Sequence, residues 1–267
     1  MMLDIQQLYL TFNRGTPIEN PVLRGIDLSI KKGEFVTVIG SNGAGKSTLL
    51  NTICGDFSPD QGRLKIGGVD VLKSSTHERA KRVARVFQDP LAGTCEALTV
   101  EENMALAMKR GESRGVQFAL NTRRRDFLRE KLSMLKLGLE NRLTDRMGLL
   151  SGGQRQAVSL LISSLTPSDI LLLDEHTAAL DPKAAADILA LTQTLVDAGK
   201  MTTLMVTHSM RQALDLGTRT IMLHAGRVIL DVKGEERKRL DVPDLLQLFA
   251  TQAGSQLDDD KLLLGQS

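Results

Sequence analysis

A glycine-rich stretch places the strongest constraint on what this chain can fold into. Residues 40 to 48 read GSNGAGKST and match the pattern G-x-x-x-x-G-K-[ST] at every specified position. The apolar stretch FVTVIG leads into it as a predicted strand, and STLLNTICG continues it as a predicted helix that ends at Gly55. A strand, a glycine loop and a helix in this order can cradle phosphate groups. A chance glycine turn is the alternative, and the flanking elements argue against it.

The residue types in this loop suit a nucleoside triphosphate. Glycines let backbone N–H groups wrap the phosphates, a lysine can reach the β and γ oxygens, and a hydroxyl can ligate Mg²⁺. The sequence therefore predicts ATP and Mg²⁺ as ligands, with Ser47 on the metal. The predicted nucleotide contacts are Gly40, Ser41, Asn42, Gly43, Ala44, Gly45, Lys46, Ser47 and Thr48.

A pair of carboxylates follows a second buried strand. The stretch ILLLDE ends in Asp174 and Glu175. Asp174 is placed to hold Mg²⁺, and Glu175 to polarise an attacking water. A carboxylate at a strand end can instead cap a neighbouring helix. After a complete phosphate loop, the catalytic interpretation is the stronger one.

A second glycine turn, LLSGGQRQ at residues 149 to 156, precedes another apolar run. A glycine-serine turn that opens a helix can also hold an anion. One nucleotide does not need two such turns from the same chain, so this turn calls for a separate explanation.

The order of predicted elements indicates an α/β fold with an insertion. Residues 1 to about 90 contain short predicted strands, residues from about 91 to 165 are mainly helical, and strands alternate with helices again from 170. Thr99 and Glu102 predict a capping box. Asp181 and Pro182 predict a helix start. Ala225 with Gly226 predicts a hairpin turn.

Composition argues against a nucleic-acid-binding protein. The 267-residue chain carries 34 basic and 32 acidic residues, a formal net charge of +2, and only 3% aromatic residues. Neither a basic surface nor a base-stacking surface is expected from these values. The arginines at 123 to 125 are interpreted as a solvated helix start or a partner-facing surface.

Other features exclude a disulfide scaffold and a transition-metal centre. Cys54 and Cys95 lack metal-like spacing and are expected to be buried or half-buried thiols. His176 has no second His or Cys at ligand spacing. We expect no signal peptide at the N-terminus, and no apolar run approaches the roughly 20 residues that span a bilayer. Work at a membrane would therefore require a partner.

Taken in order, GSNGAGKST, Gln88, LSGGQ, ILLLDE, AALDP and His208 resemble the ATP-binding subunit of ABC (ATP-binding cassette) transporters. The resemblance covers residues 1 to about 235. It implies a P-loop NTPase (RecA-like) core with an N-terminal antiparallel β subdomain and an inserted α-helical subdomain at about 91–165. The expected division is an ATPase domain over 1–250 and a polar tail over 251–267.

The resemblance also implies roles for single residues. Phe12 matches the aromatic residue that stacks on adenine, with Tyr9 and an ordinary strand aromatic as alternatives. Gln88 matches the glutamine that touches Mg²⁺ and the attacking water, and His208 matches a switch histidine near the γ-phosphate. Asp181 matches the aspartate of a subunit-crossing loop. The signature that binds a nucleotide held by another subunit corresponds to Ser151, Gly152, Gly153 and Gln154.

The implied function is that of a Mg²⁺-dependent ATP hydrolase that drives a separate membrane permease. A homodimer, a separate substrate-binding protein and a position on the inner face of the cell membrane are expected with it. FQDPLAGTCEALTVEEN and LLLDEHTAALDP resemble importers assigned to tryptophan, tyrosine or related small molecules. An exporter ATPase, a soluble ATPase acting on nucleic acid or ribosomes, and a non-catalytic interaction module are the alternatives.

Overall fold

The computed structural model describes residues 1–111 and 120–253, which divide into two units. One unit joins Met1–Arg79 to the part of the chain that begins at Met201, and the other is Ala80–Lys200. In chain order the strands are β1 (Leu3–Phe12), β2 (Asn20–Ile30), β3 (Phe35–Gly40), β4 (Gln61–Ile66), β5 (Val69–Asp70), β6 (Val83–Val86), β7 (Ile170–Asp174), β8 (Thr203–Val206), β9 (Arg219–His224) and β10 (Arg227–Lys233).

The helices alternate with these strands. Two short 3₁₀ helices cover Leu139–Asn141 and Met147–Leu149. The α-helices are α1 (Lys46–Cys54), α2 (Thr76–Arg79), α3 (Val100–Met108), α4 (Thr122–Ser133), α5 (Gly152–Ser164), α6 (Pro182–Gly199), α7 (Met210–Asp215), α8 (Gly234–Lys238) and α9 (Val242–Ala253).

The first unit contains an antiparallel sheet and a mainly parallel group of strands. The antiparallel sheet has the order β2-β1-β4-β5. In the second group, β3 pairs in parallel with β8 and β9, and β10 returns antiparallel to β9. Every residue of β3 is buried, as expected for a parallel strand with a continuous apolar sequence. The predicted hairpin turn at Ala225 and Gly226 is confirmed.

Helix α1 begins and ends as its sequence predicts. Gly45 is its N-cap, and Gly55 ends it in the left-handed region with φ 91°. At the other end of the chain, α9 packs Leu245 and Phe249 into the core that contains Ile39 of β3. Helix α9 extends past residue 250 into the predicted tail, and residues 254–267 lie outside the described residues.

The second unit combines the parallel pair β6–β7 with a helical core. The capping box of α3 is confirmed, because Thr99 Oγ1 accepts from Glu102 N at 3.2 Å and Glu102 Oε2 accepts from Thr99 N at 2.7 Å. Asp181 caps α6, with Pro182 at the first helical position. The polar stretch KRGESRG at residues 109–115, whose composition predicts a loop, lies partly outside the described residues. Apolar side chains that form the helical core include Val100, Met104, Leu128, Leu132, Leu135 and Leu161.

Two details of this unit differ from or refine the expectations. Cys95 is exposed, so the expectation for Cys95 is wrong, whereas Cys54 in the first unit is buried. Cys95 lies in the turn-rich stretch before α3, where the amide of Asn103 satisfies its backbone N–H and C=O while its thiol faces outward. Arg125 at the start of α4 pairs with Glu101 at 2.8 Å, which accounts for one of the three consecutive arginines.

Candidate nucleotide-binding site

The phosphate loop connects the end of β3 to the start of α1. Gly40, Gly43 and Gly45 all have positive φ values, 153°, 76° and 100°. A Cβ atom on Gly40 would lie 2.1 Å from the carbonyl oxygen of Leu223 in β9, whereas a Cβ on Gly43 would meet nothing within 4 Å. Gly40 is thus required by a close backbone approach, and Gly43 by backbone conformation alone.

These two glycines provide a matched pair for a stability test. Gly40→Ala is expected to lower the free energy of unfolding by about 2 to 3 kcal/mol, because β3 and β9 must separate to admit the methyl group. Gly43→Ala is expected to cost about 1 kcal/mol, the strain of a left-handed alanine. Urea unfolding of both variants measures the difference, and equal losses would contradict the proposed role of Leu223.

Lys46 lies inside the loop, and the N-terminus of α1 has no side-chain cap. The Lys46 ammonium donates to Gly40 O at 2.7 Å and to Ser41 O at 3.0 Å, and the residue is only 7% exposed. The N-cap Gly45 has no side chain to cap α1, and the first turn carries no acidic residue. Ser47 is exposed in that first turn. The positive end of the helix and a buried cation therefore favour an anion here.

The β9–β10 turn supports the phosphate loop, which the sequence did not predict. Gly226 N donates to Ala44 O at 3.1 Å, and Gly226 O accepts from Arg24 N at 2.9 Å. A Cβ on Gly226 would lie 2.3 Å from Val22 O, so only glycine fits. The turn thereby joins the loop to β2. The sequence signal was the Ala225–Gly226 pair, which indicated a turn but not its contact.

The remaining predicted residues of this unit are His208 and Phe12. His208 is exposed just after β8, between the buried residues Thr207 and Ser209. Thr207 N donates to Val38 O at 3.1 Å, which anchors this segment to β3. Phe12 is half-buried at the end of β1, with its ring edge-on to Phe57 at a centroid distance of 5.1 Å. The part of the Phe12 ring left exposed agrees with either a strand aromatic or an adenine contact.

In the second unit, Asp174 ends β7 with its carboxylate held by an arginine. Arg85 Nη2 lies 2.8 Å from Asp174 Oδ2, and both side chains are 11% exposed. The Arg85 guanidinium also lies over the ring of Phe87 at 4.5 Å. Arg85 is a site residue that the sequence did not predict. Its signal was a basic residue in the middle of the strand-like stretch RVARVFQ.

Glu175, the predicted base, has an uncommon backbone conformation. Its φ is 43°, and its carbonyl accepts from Ala178 N at 2.9 Å in the turn that leads to α6. A non-glycine residue in the left-handed region is strained, and such strain is concentrated at functional sites. The side chain is half-buried.

His176 is a neutral core residue. Thr192 Oγ1 donates to Ile188 O at 2.8 Å, so the contact of 2.9 Å between His176 Nε2 and Thr192 Oγ1 has the imidazole N–H as donor. Burial lowers the pKa of His176 to about 4. Across residues 1–111 and 120–253, no group of three His, Cys, Asp or Glu residues could hold a metal ion. These contacts favour the core interpretation of His176 over a metal ligand.

The depressed pKa of His176 predicts a pH-dependent stability. Between about pH 6.5 and pH 4 the unfolded chain binds a proton at this residue and the native protein does not. The free energy of unfolding should therefore fall on acidification, by up to about 1.4 kcal/mol per pH unit from this group. The part of the slope that His176 contributes should be lost in His176→Gln, measured by urea unfolding in EDTA. His77→Gln, at an exposed histidine on α2, is the control and should keep it.

The predicted signature turn forms the N-terminus of α5. Ser151 is exposed and caps the helix by accepting from Gln154 N at 3.3 Å, while Gln154 Oε1 accepts from Ser151 N at 3.2 Å. A Cβ on Gly153 would lie 3.2 Å from Ala184 Cβ, so a larger residue would crowd α6. An exposed helix start with a hydroxyl at its tip can receive an anion from outside the chain.

Gln88 and Asp181 are also exposed in this unit. Gln88 is the second residue after β6, and Gln156 Nε2 donates to the preceding carbonyl, Phe87 O, at 3.1 Å. Asp181 Oδ1 accepts from Ala184 N at 3.0 Å as the N-cap of α6. Each position is open to a ligand or a partner. The structure thus divides the predicted site between the units: Phe12, residues 40–48 and His208 in the first; Gln88, residues 151–154, Asp174, Glu175 and Asp181 in the second.

A comparison with known protein families decides the assignment. The family described as ABC transporter matches residues 23–178, which begin in β2 and end just beyond Glu175. The chain belongs to the ABC transporter family. Its predicted α/β P-loop NTPase fold is confirmed, and it is an ATP-binding, ATP-hydrolysing member of that family.

Relatives within the ABC transporter family span nearly the whole chain. A tyrosine transport ATP-binding protein of Clostridioides difficile (strain R20291) is 42% identical, covering 93% of this chain and 98% of its own. The energy-coupling factor transporter ATP-binding protein EcfA2 of Clostridium tetani (strain Massachusetts / E88) is 34% identical, with coverage of 92% and 83%. The thiamine import ATP-binding protein ThiQ of Shigella flexneri serotype 5b (strain 8401) is 37% identical, with coverage of 78% and 85%.

Solved ABC structures agree with the fold. The ATP-binding cassette MJ0796, in a dimeric post-hydrolysis state bound to ADP and Pi, gives a TM-score of 0.74 at 30% identity, covering 87% of this chain and 98% of its own. The ADP conformation of the cassette MJ1267 gives 0.74 at 26% identity, with coverage of 93% and 98%. Within residues 1–111 and 120–253, no helix has the length and apolar character needed to cross a bilayer.

Proposed function

We propose that this chain is the ATPase subunit of an importer that moves a small molecule through a separate membrane permease. The proposal that this subunit binds ATP rests on the phosphate loop. There the buried Lys46 lies at the N-terminus of α1, which has no side-chain cap. Support for import comes from the names of the relatives, which include a tyrosine transport protein and a thiamine import protein. An aromatic amino acid is the first cargo to test.

The proposed roles follow the contacts of each residue. Lys46 leaves its two loop carbonyls to bind the β- and γ-phosphates, since a phosphate is a stronger partner for an ammonium than a neutral carbonyl. Glu175 directs water in line with the γ-phosphate, and His208 contacts that phosphate. Phe12 stacks on the adenine.

The oxygen-rich donor set fits Mg²⁺. Ser47 offers a hydroxyl, Gln88 an amide oxygen and Asp174 a buried carboxylate, which are the hard ligands that Mg²⁺ prefers. The ion pair with Arg85 orients the Asp174 carboxylate. When bound with ATP, the metal would neutralise phosphate charge.

The exposed signature turn supports a head-to-tail homodimer. We propose that Ser151, Gly152, Gly153 and Gln154 of one copy bind the γ-phosphate held by Lys46 of a second copy, with Asp181 at the same junction. ATP then favours the closed dimer, because only that state makes both sets of contacts, and hydrolysis removes the difference. The permease would hold the dimer at the inner face of the cell membrane, and a separate substrate-binding protein would deliver cargo.

A transport assay tests the direction and the first cargo. Cells that lack this chain should take up radiolabelled tyrosine or tryptophan more slowly, and expression of the wild-type chain should restore uptake. Unchanged uptake with slower efflux of preloaded cargo would instead favour the exporter alternative. If neither uptake nor efflux changes, tyrosine and tryptophan are excluded as cargo. The ATPase assignment would be unaffected by that result.

A further inference from the structure

We infer that Gln156 on α5 is a positioning residue that fixes the peptide group of Gln88. The inference rests on the proposed role of Gln88 in hydrolysis. Phe87 O belongs to the peptide bond that joins Phe87 to Gln88, and Gln156 Nε2 donates to it at 3.1 Å. The bond therefore fixes the plane of the same peptide unit that carries the Gln88 N–H.

Burial makes this hydrogen bond significant. Gln156 is 0% exposed, and its Oε1 has no hydrogen-bond partner among the described residues. A buried acceptor without a partner is unfavourable, so an apolar side chain of similar size would suit the interior at least as well. The amide at this position is consequently better explained by the single contact it makes with Phe87 than by a contribution to stability.

A second contact places the following segment on the same face of α5. A Cβ atom on Gly93 would lie 3.0 Å from Ser159 Oγ and 3.4 Å from Phe87 Cδ2. Gln156 and Ser159 are three residues apart and share one helical face. The segment from Phe87 to Gly93 thus contacts α5 twice. Phe87 O accepts a hydrogen bond from Gln156, and Gly93 packs closely against Ser159.

Helix α5 therefore connects two proposed functional groups, the signature turn and Gln88. Helix α5 begins at the Ser151 cap and carries Gln156 in its second turn, so one rigid element links the signature turn to Gln88. The Arg155–Glu96 ion pair at 3.3 Å also joins α5 to this region, but Glu96 is 57% exposed and solvent weakens the pair. Gln156 is fully buried, so solvent weakens its contact with Phe87 less than it weakens the ion pair.

Gln156→Met tests the connection because it removes the amide with little change in volume. The melting temperature should be unchanged or higher, while kcat for ATP hydrolysis should fall roughly fivefold, the size expected for one buried hydrogen bond. Amide hydrogen exchange over residues 87–95 should accelerate. Ser163→Ala is the matched control, since Ser163 is buried on α5 and its hydroxyl donates to Leu160 O within the same helix. Gln156→Leu serves as the second variant if the methionine variant does not fold.

A double-mutant cycle with Gln88→Ala completes the test. If Gln156 acts through Gln88, the double variant should have the kcat of Gln88→Ala alone. Additive losses, or unchanged hydrogen exchange over residues 87–95, would overturn the positioning role. A wild-type kcat in Gln88→Ala would contradict the proposed role of Gln88 in hydrolysis, whatever the effect of the Gln156 variants.

Discussion

Glu175→Gln should lower kcat for ATP hydrolysis by about 10²- to 10⁴-fold while ATP still binds. The amide keeps the size and hydrogen-bonding reach of the carboxylate but accepts a proton from water far less readily. The backbone at this position already has φ 43°, and glutamine imposes no new conformational cost. Single-turnover hydrolysis and equilibrium binding of a fluorescent ATP analogue measure the two quantities separately.

The control for this substitution is another glutamate in the same unit. Glu130 is exposed on α4, and Glu130→Gln should hydrolyse ATP at the wild-type rate. Hydrolysis at the wild-type rate in Glu175→Gln would mean that another group activates the water. A loss of ATP binding in that variant would mean that Glu175 acts in binding rather than in catalysis.

Ser151→Arg should reduce turnover by at least about 10²-fold, the effect of removing one donor to a developing anion. The serine caps α5 and is exposed, so arginine fills the place of the incoming phosphate. ATP should still bind to each chain, because in the proposed dimer the signature turn contacts the nucleotide of the other copy. Steady-state hydrolysis and ATP stoichiometry test both statements.

Loss of the helix cap alone is a competing explanation for such an effect. Ser151→Asp tests this explanation, because aspartate is as good a helix cap as serine and its negative charge is favourable at the positive end of the helix. Stability should be retained, yet turnover should fall because the carboxylate repels the phosphate. Asn121→Asp, at the exposed cap of α4, makes the same kind of cap substitution in the same unit and should leave turnover unchanged.

Local patterns predicted much of the fold because their signals lie within a few residues. Thr99 and Glu102 specify a capping box, Asp181 and Pro182 specify a helix start, and the glycine loop requires a strand before it. In each case both partners of the interaction lie within a few residues of each other along the chain. These elements therefore form where they were predicted.

The sequence was less informative where contacts join distant parts of the chain. Arg85 meets Asp174 across 89 positions, and Gln156 reaches Phe87 across 69. The pairing of β6 with β7 determines the first contact, and the packing of α5 determines the second, so neither follows from local spacing. Cys95 shows the same limit, because its exposure depends on how Asn103 holds the turn.

The central claim is that a signature turn from one copy completes the nucleotide site of another. Sedimentation velocity of Glu175→Gln with and without Mg·ATP tests it most directly. We expect a dimer only with ATP, and a monomer with one ATP per chain when Ser151→Asp is added. A Glu175→Gln chain that remains monomeric with ATP bound, or a dimer that persists with Ser151→Asp, would contradict the shared site.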